Sequence, residues 1–357
     1  MKKISIIFSF LFVLLCSCND DDDTIDPDDI IKLEIFDFDG LEEISGMVIG
    51  DGETTVTLRA TIPENSDENS RTVTFQASNN AIFQGVGTNL DSDVAGSDGI
   101  AEAKLRMPLD NDPVFVSASI TKGDNTYTSK ASISLMGVDD IVSLELLDAS
   151  QNPINESPRA DGQTLITLKA TVNFNQEEFD QVTFEKSAGQ FQSVSDDNPI
   201  RVTNETNTAM IDLRLPTIVD RLYLLAKVGT SPSYFKEVDI NLLRAYPDEI
   251  IIQPDKLSMT ENDDNTIKIF LNRDFGMVSQ GTPIFPPKSF QLANGEEIEV
   301  GRFTGLDGAQ TNQNGEINIV FRTDTGDIDP NLPVIIRVSA RNDDDNVIES
   351  MFSISIN

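Results

Sequence analysis

Apolar and polar residues alternate along most of this 357-residue chain, in short runs that end at Gly, Asn, Asp or Pro. Residues 55–60, with the sequence TVTLRA, place Val, Leu and Ala on one side and Thr, Thr and Arg on the other. Because successive side chains of a strand point to opposite faces, this period of two predicts strands with one buried face. Beyond the apolar run at residues 4–15, no segment shows a sustained helical period. Such runs between turn residues are typical of an all-β sandwich.

The alternating runs recur in the same order, which indicates an internal duplication. Residues 51–62 return as residues 161–172, and both segments begin with Asp-Gly-x-Thr. Residues 101–108 return as residues 209–216, and both end in Pro. A third segment repeats the pattern loosely and lacks the Asp-Gly-x-Thr start. Its proline-rich stretch at residues 283–287 suits a loop or an irregular edge strand.

The repeats and the N-terminal composition divide the chain into five parts. We predict a signal peptide at residues 1–17, an acidic tether at 18–29, and three sandwiches at 30–137, 138–244 and 245–357. Each sandwich is long enough to bury a core of its own without a metal or a disulfide. The predicted fold class is therefore all-β, with three tandem sandwiches after a disordered tether.

The repeated motifs resemble those of bacterial immunoglobulin-like domains of the invasin and intimin type. The resemblance rests on Asp-Gly-x-Thr-x-x-Thr-Leu-x-Ala-Thr, a following Val-Thr-Phe, and a Gly-x-Ala before an alternating strand. It covers residues 30–136 and 139–244 well, and residues 246–357 by general pattern. The resemblance implies immunoglobulin-like modules that stack into a rod and hold a binding domain away from the cell. This chain differs in having a predicted lipid anchor instead of a barrel and no lectin-like tip.

The N-terminus carries an export pattern. Two lysines precede the apolar run at residues 4–15, which is too short to span a bilayer and is typical of a secretory signal peptide. The Leu-x-Ser-Cys ending resembles the lipobox of bacterial lipoproteins, in which cleavage falls between Ser17 and Cys18 and Cys18 becomes the acylated N-terminus. Cys16 is the poorer candidate, because the bulky Leu15 precedes it.

An aspartate-rich block follows Cys18, with seven Asp residues between positions 19 and 29. Such a block repels itself, and we expect it to stay extended. Its position resembles the export signal of Bacteroidota-type lipoproteins, which directs them to the outer face of the outer membrane. The alternative is a solvated spacer that carries no address. We expect a lipid-anchored outer-membrane protein that faces the cell exterior.

Composition narrows the classes of function. The formal net charge of −34 argues against nucleic acid as a partner, because its phosphates are bound by Lys and Arg. The chain has no His, and its two Cys residues lie in the predicted signal and anchor, so Ser-His-Asp and Cys-His catalysis are excluded and zinc hydrolases nearly so. No cofactor is predicted. Trp is absent and Tyr is rare, which leaves few aromatic platforms for sugar rings.

Three acidic clusters are candidate calcium sites, because calcium prefers six to eight oxygen ligands. The clusters are Asp91, Asp93 and Asp98 in a Gly-containing loop; Asp324, Asp327 and Asp329; and Asp343, Asp344 and Asp345 at a hairpin tip. None matches a complete binding loop, and Asp is common at turns, so no metal site is predicted. Two aromatic pairs, Phe36 with Phe38 and Phe174 with Phe179, are candidate apolar patches, although packing is the commoner role of such residues.

These features together predict a non-enzymatic, lipid-anchored cell-surface protein. Its immunoglobulin-like modules would form a rod for adhesion, spacing or assembly at the outer membrane. Its partners would be the membrane, through the N-terminal lipid, and an unidentified surface protein or glycan. One alternative is a glycan- or ligand-binding accessory lipoprotein of an outer-membrane uptake system. Another is a carboxylate-dependent hydrolase, which needs two acids about 5–9.5 Å apart.

Overall fold

The structure, a computed structural model, is built mainly of β-strands. It describes residues 30–63, 71–174, 179–194, 197–306, 309–324 and 328–357. Besides the strands there is a 3-10 turn at Val138–Asp140. The chain divides into two compact units, Met1–Val138 and Asp139–Asn357. The predicted all-β class is confirmed.

The first unit is a sandwich of two four-stranded antiparallel sheets with a small parallel pair. Its strands are β1 (Lys32–Phe36), β2 (Val48–Gly50), β3 (Thr55–Thr61), β4 (Thr72–Ala77), β5 (Ile82–Phe83), β6 (Leu90–Val94), β7 (Ile100–Arg106), β8 (Val114–Lys122), β9 (Asn125–Ile133) and β10 (Leu135–Gly137). The sheet orders are β1-β3-β7-β5 and β6-β4-β8-β9, and β10 pairs with β2 in parallel. Consecutive strands such as β3 and β4 lie in different sheets, as in an immunoglobulin-like sandwich.

The inward faces of both sheets form the core of the first unit. Leu58 of β3 and Phe75 of β4 are fully buried, and the Phe75 ring lies 6.4 Å from that of Phe83. Thr57 departs from the predicted alternation, because it lies on the outward face but is only 2% exposed. Its hydroxyl donates a hydrogen bond of 3.1 Å to the carbonyl of Phe38, which lies in a turn over this face. A covering turn, and not the strand pattern, buries this threonine.

The second unit contains four sheets, and its N-terminal half has two of them. The strands of this half are β11 (Val142–Leu147), β12 (Leu165–Val172), β13 (Gln181–Lys186), β14 (Gln190–Phe191), β15 (Ile200–Val202), β16 (Thr208–Arg214), β17 (Arg221–Val228) and β18 (Tyr234–Asn241). The orders β11-β12-β16-β14 and β15-β13-β17-β18 repeat those of the first unit. Leu168 and Phe184, one from each sheet, are fully buried. We call this half the second sandwich.

The C-terminal half of the second unit, the third sandwich, has a four-stranded and a five-stranded sheet. Its strands are β19 (Glu249–Pro254), β20 (Ser258–Met259), β21 (Asp264–Asn272), β22 (Lys288–Ala293), β23 (Glu296–Glu299), β24 (Arg302–Thr304), β25 (Glu316–Arg322), β26 (Val334–Arg341) and β27 (Val347–Ile356). The orders are β19-β21-β25-β24 and β20-β27-β26-β22-β23. The prolines at 283–287 lie outside the strands, and Pro283 forms an isolated bridge with Gln310.

The duplicated sequences occupy equivalent strands in equivalent register. Ala60 of β3 faces Ala101 of β7, and Ala170 of β12 faces Ala209 of β16. The three pairs of sheets fall within the predicted boundaries 30–137, 138–244 and 245–357. That each pair folds as a separate domain stays a prediction.

Candidate functional site

The second and third sandwiches meet at a polar contact region, which we call the joint. It consists of residues 158–164 of the second sandwich, the linker 242–248, and residues 273–282, Thr311 and Asp343 of the third sandwich. Four polar side chains are buried in it: Asp161, Ser279, Thr282 and Thr311. Because a buried polar atom without a partner destabilises a fold, the hydrogen bonds of these side chains determine how the joint is built.

The repeated Asp-Gly-x-Thr motif forms one side of the joint. Asp161 Oδ1 accepts hydrogen bonds from the backbone amides of Gln163 at 2.9 Å and Thr164 at 2.7 Å. Its Oδ2 accepts a bond of 2.7 Å from the Thr164 hydroxyl. Asp51 makes the same three bonds in the first unit. The motif is therefore a turn closed by its own carboxylate in front of a strand.

Ser279 lies at the centre of the joint. Its hydroxyl donates a hydrogen bond of 2.7 Å to the carbonyl of Ala160 and accepts one of 2.8 Å from the amide of Ala245. Its own amide donates to the carbonyl of Ala245 at 3.0 Å. Its carbonyl accepts the hydroxyls of Thr282 at 2.7 Å and Thr311 at 2.8 Å. One serine thus connects the second sandwich, the linker and the third sandwich.

Backbone groups bring the loop of the third sandwich close to the second. The amide of Met277 donates to the carbonyl of Asp161 at 2.8 Å, and the amide of Gln280 donates to that of Thr217 at 2.9 Å. Gly276, directly before Met277, has a φ of +74°. A Cβ added at this residue would lie 2.9 Å from the Cβ of Asp161. This approach requires glycine, both for its backbone conformation and for its lack of a side chain.

Asp343 is the charged centre of the joint. Arg273 Nη2 donates to its Oδ2 at 2.8 Å, the amide of Tyr246 donates to Oδ1 at 2.8 Å, and Arg159 Nη1 lies 3.1 Å from Oδ1. Arg273 also donates to the carbonyls of Tyr246 and Phe275. The carboxylate therefore contacts an arginine from each sandwich and the linker between them.

Two opposed effects act on the pKa of Asp343. Burial raises it, but the hydrogen bonds from Arg273 and the Tyr246 amide, together with the charges of Arg273 and Arg159, outweigh burial and lower the pKa below its ordinary value. The Arg273 side chain is 10% exposed and that of Arg159 is 34% exposed. Solvent therefore screens the Arg159 contact more strongly.

The first predicted acidic cluster serves backbone structure. Asp91 and Asp93 lie on strand β6, so their prediction as loop residues is wrong. Asp93 Oδ2 accepts the amide of Glu102 at 3.0 Å, and Asp98 Oδ1 accepts that of Ile100 at 3.1 Å. These carboxylates hold neighbouring strands and a turn.

The second cluster is also engaged by protein groups. Asp324 Oδ2 lies 3.5 Å from Arg302 Nε, and Asp329 Oδ1 accepts the amide of Asn331 at 2.9 Å. Asp327 lies outside the described residues.

The third cluster forms the expected hairpin tip between β26 and β27. Asp343 belongs to the joint, Asp345 pairs with Arg341, and Asp344 is exposed. Across the parts of the chain that the structure describes, no three His, Cys, Asp or Glu residues are grouped to hold a metal ion.

The aromatic pair of the first unit carries cations on its rings. The Arg59 guanidinium lies 4.2 Å from the ring centre of Phe36, and the Lys104 amine lies 3.7 Å from that of Phe38. Phe38 is half exposed. These rings therefore form cation–π contacts on the outward side of the sheet and not a bare apolar patch.

The second aromatic pair is part of the core. Phe174 and Phe179 are buried, with ring centres 5.9 Å apart in an edge-to-face arrangement. Phe179 makes a similar contact of 5.8 Å with Tyr234. The pair therefore has the commoner role of aromatic residues, which is packing.

An open depression of about 380 Å³ lies on the first unit. Gln76, Ser117 and Lys130 line it together with Phe115, which is 62% exposed. The depression therefore places an exposed aromatic ring beside amide, hydroxyl and ammonium groups.

The predicted anchor residues lie outside the described part of the chain. The predicted signal peptide, which ends at Ser17, and the predicted tether, which begins at Cys18, are not among the described residues, so cleavage and acylation stay predictions. Where the chain is described, none of its helices has the length and apolar character needed to cross a bilayer.

The joint itself was missed by sequence reasoning. Ser279 and Arg273 lie in a segment that has no counterpart among the repeated motifs, and Asp343 was noted only as one acid of a turn. A partial signal was present in the repeated Asp161 motif and in the glycines at 276 and 281, which interrupt the alternating pattern. These residues form the joint only because the third sandwich packs against the second, and the sequence does not reveal that packing.

Comparisons with known proteins give similarity of architecture. No protein-family model and no curated protein matches the chain. Among solved structures, the chain is similar to the Yersinia pseudotuberculosis adhesin InvE, with 15% identity, a TM-score of 0.37 and coverage of 60% of each chain. It is similar to the Escherichia coli adhesin FdeC, with 11% identity, a TM-score of 0.37 and coverage of 92% of this chain and 96% of that one. A fragment of ICAM-5 covering D1–D4 has 10% identity and a TM-score of 0.34, over 92% of this chain and 77% of that one. Similarities at this level carry no argument about function, and the sandwich architecture rests on the sheets described above.

Proposed function

We propose that the chain is a non-enzymatic, lipid-anchored protein of the cell surface, whose sandwiches serve adhesion, spacing or assembly at the outer membrane. The N-terminal sequence carries the anchoring part of this proposal, and the joint is the observation that supports a spacing role. Neighbouring domains in one chain move relative to each other by default. A buried hydrogen-bond network between two sandwiches opposes such motion, and that is useful in a protein that must hold a surface at a fixed place.

The N-terminal sequence supports the anchoring part of the proposal. A lipobox-like Leu-x-Ser-Cys ending precedes an aspartate-rich block, as in exported lipoproteins. One acyl chain binds a membrane only reversibly, whereas two or more hold a protein there stably. Cys18 would carry these chains.

Three of the described carboxylates lack the raised pKa that a general acid needs near neutral pH. The pKa is lowered for Asp148 by backbone amides at its turn, and for Asp263 by the hydrogen bond from Lys256. It is lowered for Asp343, where burial is outweighed by the hydrogen bond from Arg273. A general acid near neutral pH needs a raised pKa instead. These three groups hold structure as ionised carboxylates.

Membrane fractionation of cells tests the anchor. Replacing Cys18→Ser should release the protein into the soluble fraction, because the acylated residue is lost. Cys16→Ser is the matched control and should stay with the membrane, since it removes a cysteine of the signal peptide only. Release of the Cys16→Ser protein alone would show that the cleavage site is assigned to the wrong cysteine. A parent protein without lipid would contradict the proposal.

Ligand binding is a second candidate function, and the depression beside Phe115 is the observation that favours it. If this surface binds a glycan, Phe115→Ala should abolish saturation-transfer NMR signals from a panel of oligosaccharides. Phe235→Ala is the matched control, because Phe235 is also an exposed aromatic residue on a strand, with 57% of its surface accessible. Equal signals for both variants, or none for the parent, would end this candidate.

A further inference from the structure

We infer that Asp343, Arg159 and Ser279 act as a latch that makes the second and third sandwiches unfold as one cooperative unit. This inference goes beyond the proposed function, because the coupling holds whatever the chain binds. In an array of modules, stability is the sum of each module's own stability and of the interfaces between neighbours. A strong interface makes two modules unfold together.

The Asp343–Arg159 pair joins parts that are fixed in different sandwiches. Arg159 belongs to the second sandwich and is held against the start of the linker, because it forms a parallel bridge with Leu243 and donates a hydrogen bond of 2.6 Å to the carbonyl of Arg244. Asp343 lies at the tip of the β26–β27 hairpin of the third sandwich. Opening the joint separates a partly buried carboxylate from one of its two arginines.

Arg273 adds further contacts to the Asp343–Arg159 pair, so this pair is more than a surface ion pair. It lies directly after β21, and its guanidinium contacts Asp343, the linker at Tyr246 and the loop at Phe275. Hydrogen bonds between charged groups are stronger than those between neutral groups. Arg273 therefore fixes Asp343 in the position that Arg159 recognises, and the linker is held at the same point.

Ser279 closes the joint on its other side. Its hydroxyl satisfies the carbonyl of Ala160 and the amide of Ala245, and all three residues are buried. Removing the hydroxyl leaves both backbone groups without this partner, away from water. The backbone bonds of Met277 and Gln280 to the second sandwich then remain.

The chain contains no Trp, so one introduced Trp reports on one sandwich. Tyr223→Trp on β17 and Phe352→Trp on β27 replace partly exposed aromatic residues, which leave room for the larger ring. We propose to follow urea unfolding of the full chain by the fluorescence of each reporter in turn. In the parent, both reporters should give the same midpoint.

The latch variant carries Asp343→Asn and Ser279→Ala. Its two reporters should give midpoints that differ by about 0.5 M urea or more, a separation resolvable with the usual dependence of stability on denaturant. Asp344→Asn is the matched control, because it removes the same charge from the same turn at an exposed position. Its midpoints should coincide.

Two outcomes would overturn the inference. One is a parent whose reporters already give different midpoints, since the sandwiches would then not be coupled. The other is a latch variant whose two midpoints coincide, whether at the parent's urea concentration or at a lower one. If the double variant does not fold, Arg159→Gln at the more exposed edge of the joint takes its place. It should separate the midpoints by a smaller amount, and unchanged coincident midpoints would count against the latch.

Discussion

Asp343 is one of three consecutive aspartates at a hairpin tip, yet only this residue is placed between two arginines. Sequence reasoning identified the tip and the abundance of acids in it, because both follow from local turn chemistry. It could not identify the arginines, which come from positions 159 and 273. Contacts between residues so far apart depend on how the sandwiches pack, and a pattern of period two contains no information about that packing.

The lowered pKa of Asp343 predicts how stability changes with pH. The unfolded chain has the ordinary aspartate pKa of about 3.9 and binds a proton before the folded chain does. The carboxylate's contribution is therefore fully present above that value and is lost as pH falls through the lower folded pKa. Urea midpoints should fall more steeply below about pH 4 for the parent than for Asp343→Asn. Identical pH profiles for the two proteins would contradict this assignment.

The close approach at Gly276 predicts a substitution effect with an internal control. Gly276→Ala introduces a Cβ 2.9 Å from that of Asp161, at a φ of +74°. Gly295 has a similar φ of +87°, but nothing lies within 4 Å of an added Cβ. Gly295→Ala should cost about 1 kcal/mol from backbone strain, and Gly276→Ala about 1–3 kcal/mol more, measured by chemical unfolding. Equal costs would mean that the loop moves away without a penalty.

At the scale of strands and turns, the alternating pattern predicts a strand correctly where every second side chain of that strand is buried in the core. Strand β7 alternates between buried and exposed residues along its length, as its sequence predicts. Strand β6 was missed because it is an edge strand held by backbone bonds to β4, with Thr74 opposite Ser92. None of its five side chains is buried, so its polarity and its two aspartates suggested a loop. Edge strands of this kind leave little hydrophobic signal in a sequence.

Removing the carboxylate of the Asp-Gly-x-Thr turn should lower the free energy of unfolding measurably. Asp161→Ala breaks three hydrogen bonds and leaves the amides of Gln163 and Thr164 without their side-chain acceptor. We expect unfolding of the second unit to become easier by about 2 kcal/mol. Glu237→Ala, an exposed carboxylate on β18, is the control and should change stability by less than about 0.5 kcal/mol. A loss for Asp161→Ala as small as that of the control would show that the turn is held by its glycine alone.

At the scale of the whole molecule, charge and the N-terminal sequence led to a proposal about location, while the fold alone is shared by proteins of many functions. The formal net charge of −34 favours solubility and keeps neighbouring copies apart. The fold class followed from the sequence because it depends on repeated local patterns. A partner could not be predicted, because recognition depends on a few exposed side chains and not on the fold.

Substitutions in the aspartate block distinguish an export signal from a solvated spacer that carries no such signal. Replacing Asp20 through Asp23 with Ala should keep the protein lipidated but prevent its display, if the block is an export signal. External protease should then cleave the parent on intact cells and leave the variant intact. A Gln-substituted block is the control for solubility, and it should also stay hidden if the charges themselves are the signal. Equal cleavage of parent and both variants would end the address hypothesis.

The central claim, that the sandwiches face the cell exterior, is tested most directly by labelling a single introduced cysteine. The chain has no cysteine after Cys18, so Glu296→Cys on the exposed strand β23 gives a unique accessible thiol. A membrane-impermeant maleimide should label this protein on intact cells as fully as in lysed cells, and the same change combined with Cys18→Ser should leave intact cells unlabelled. Labelling of the anchored protein only after lysis would contradict the account.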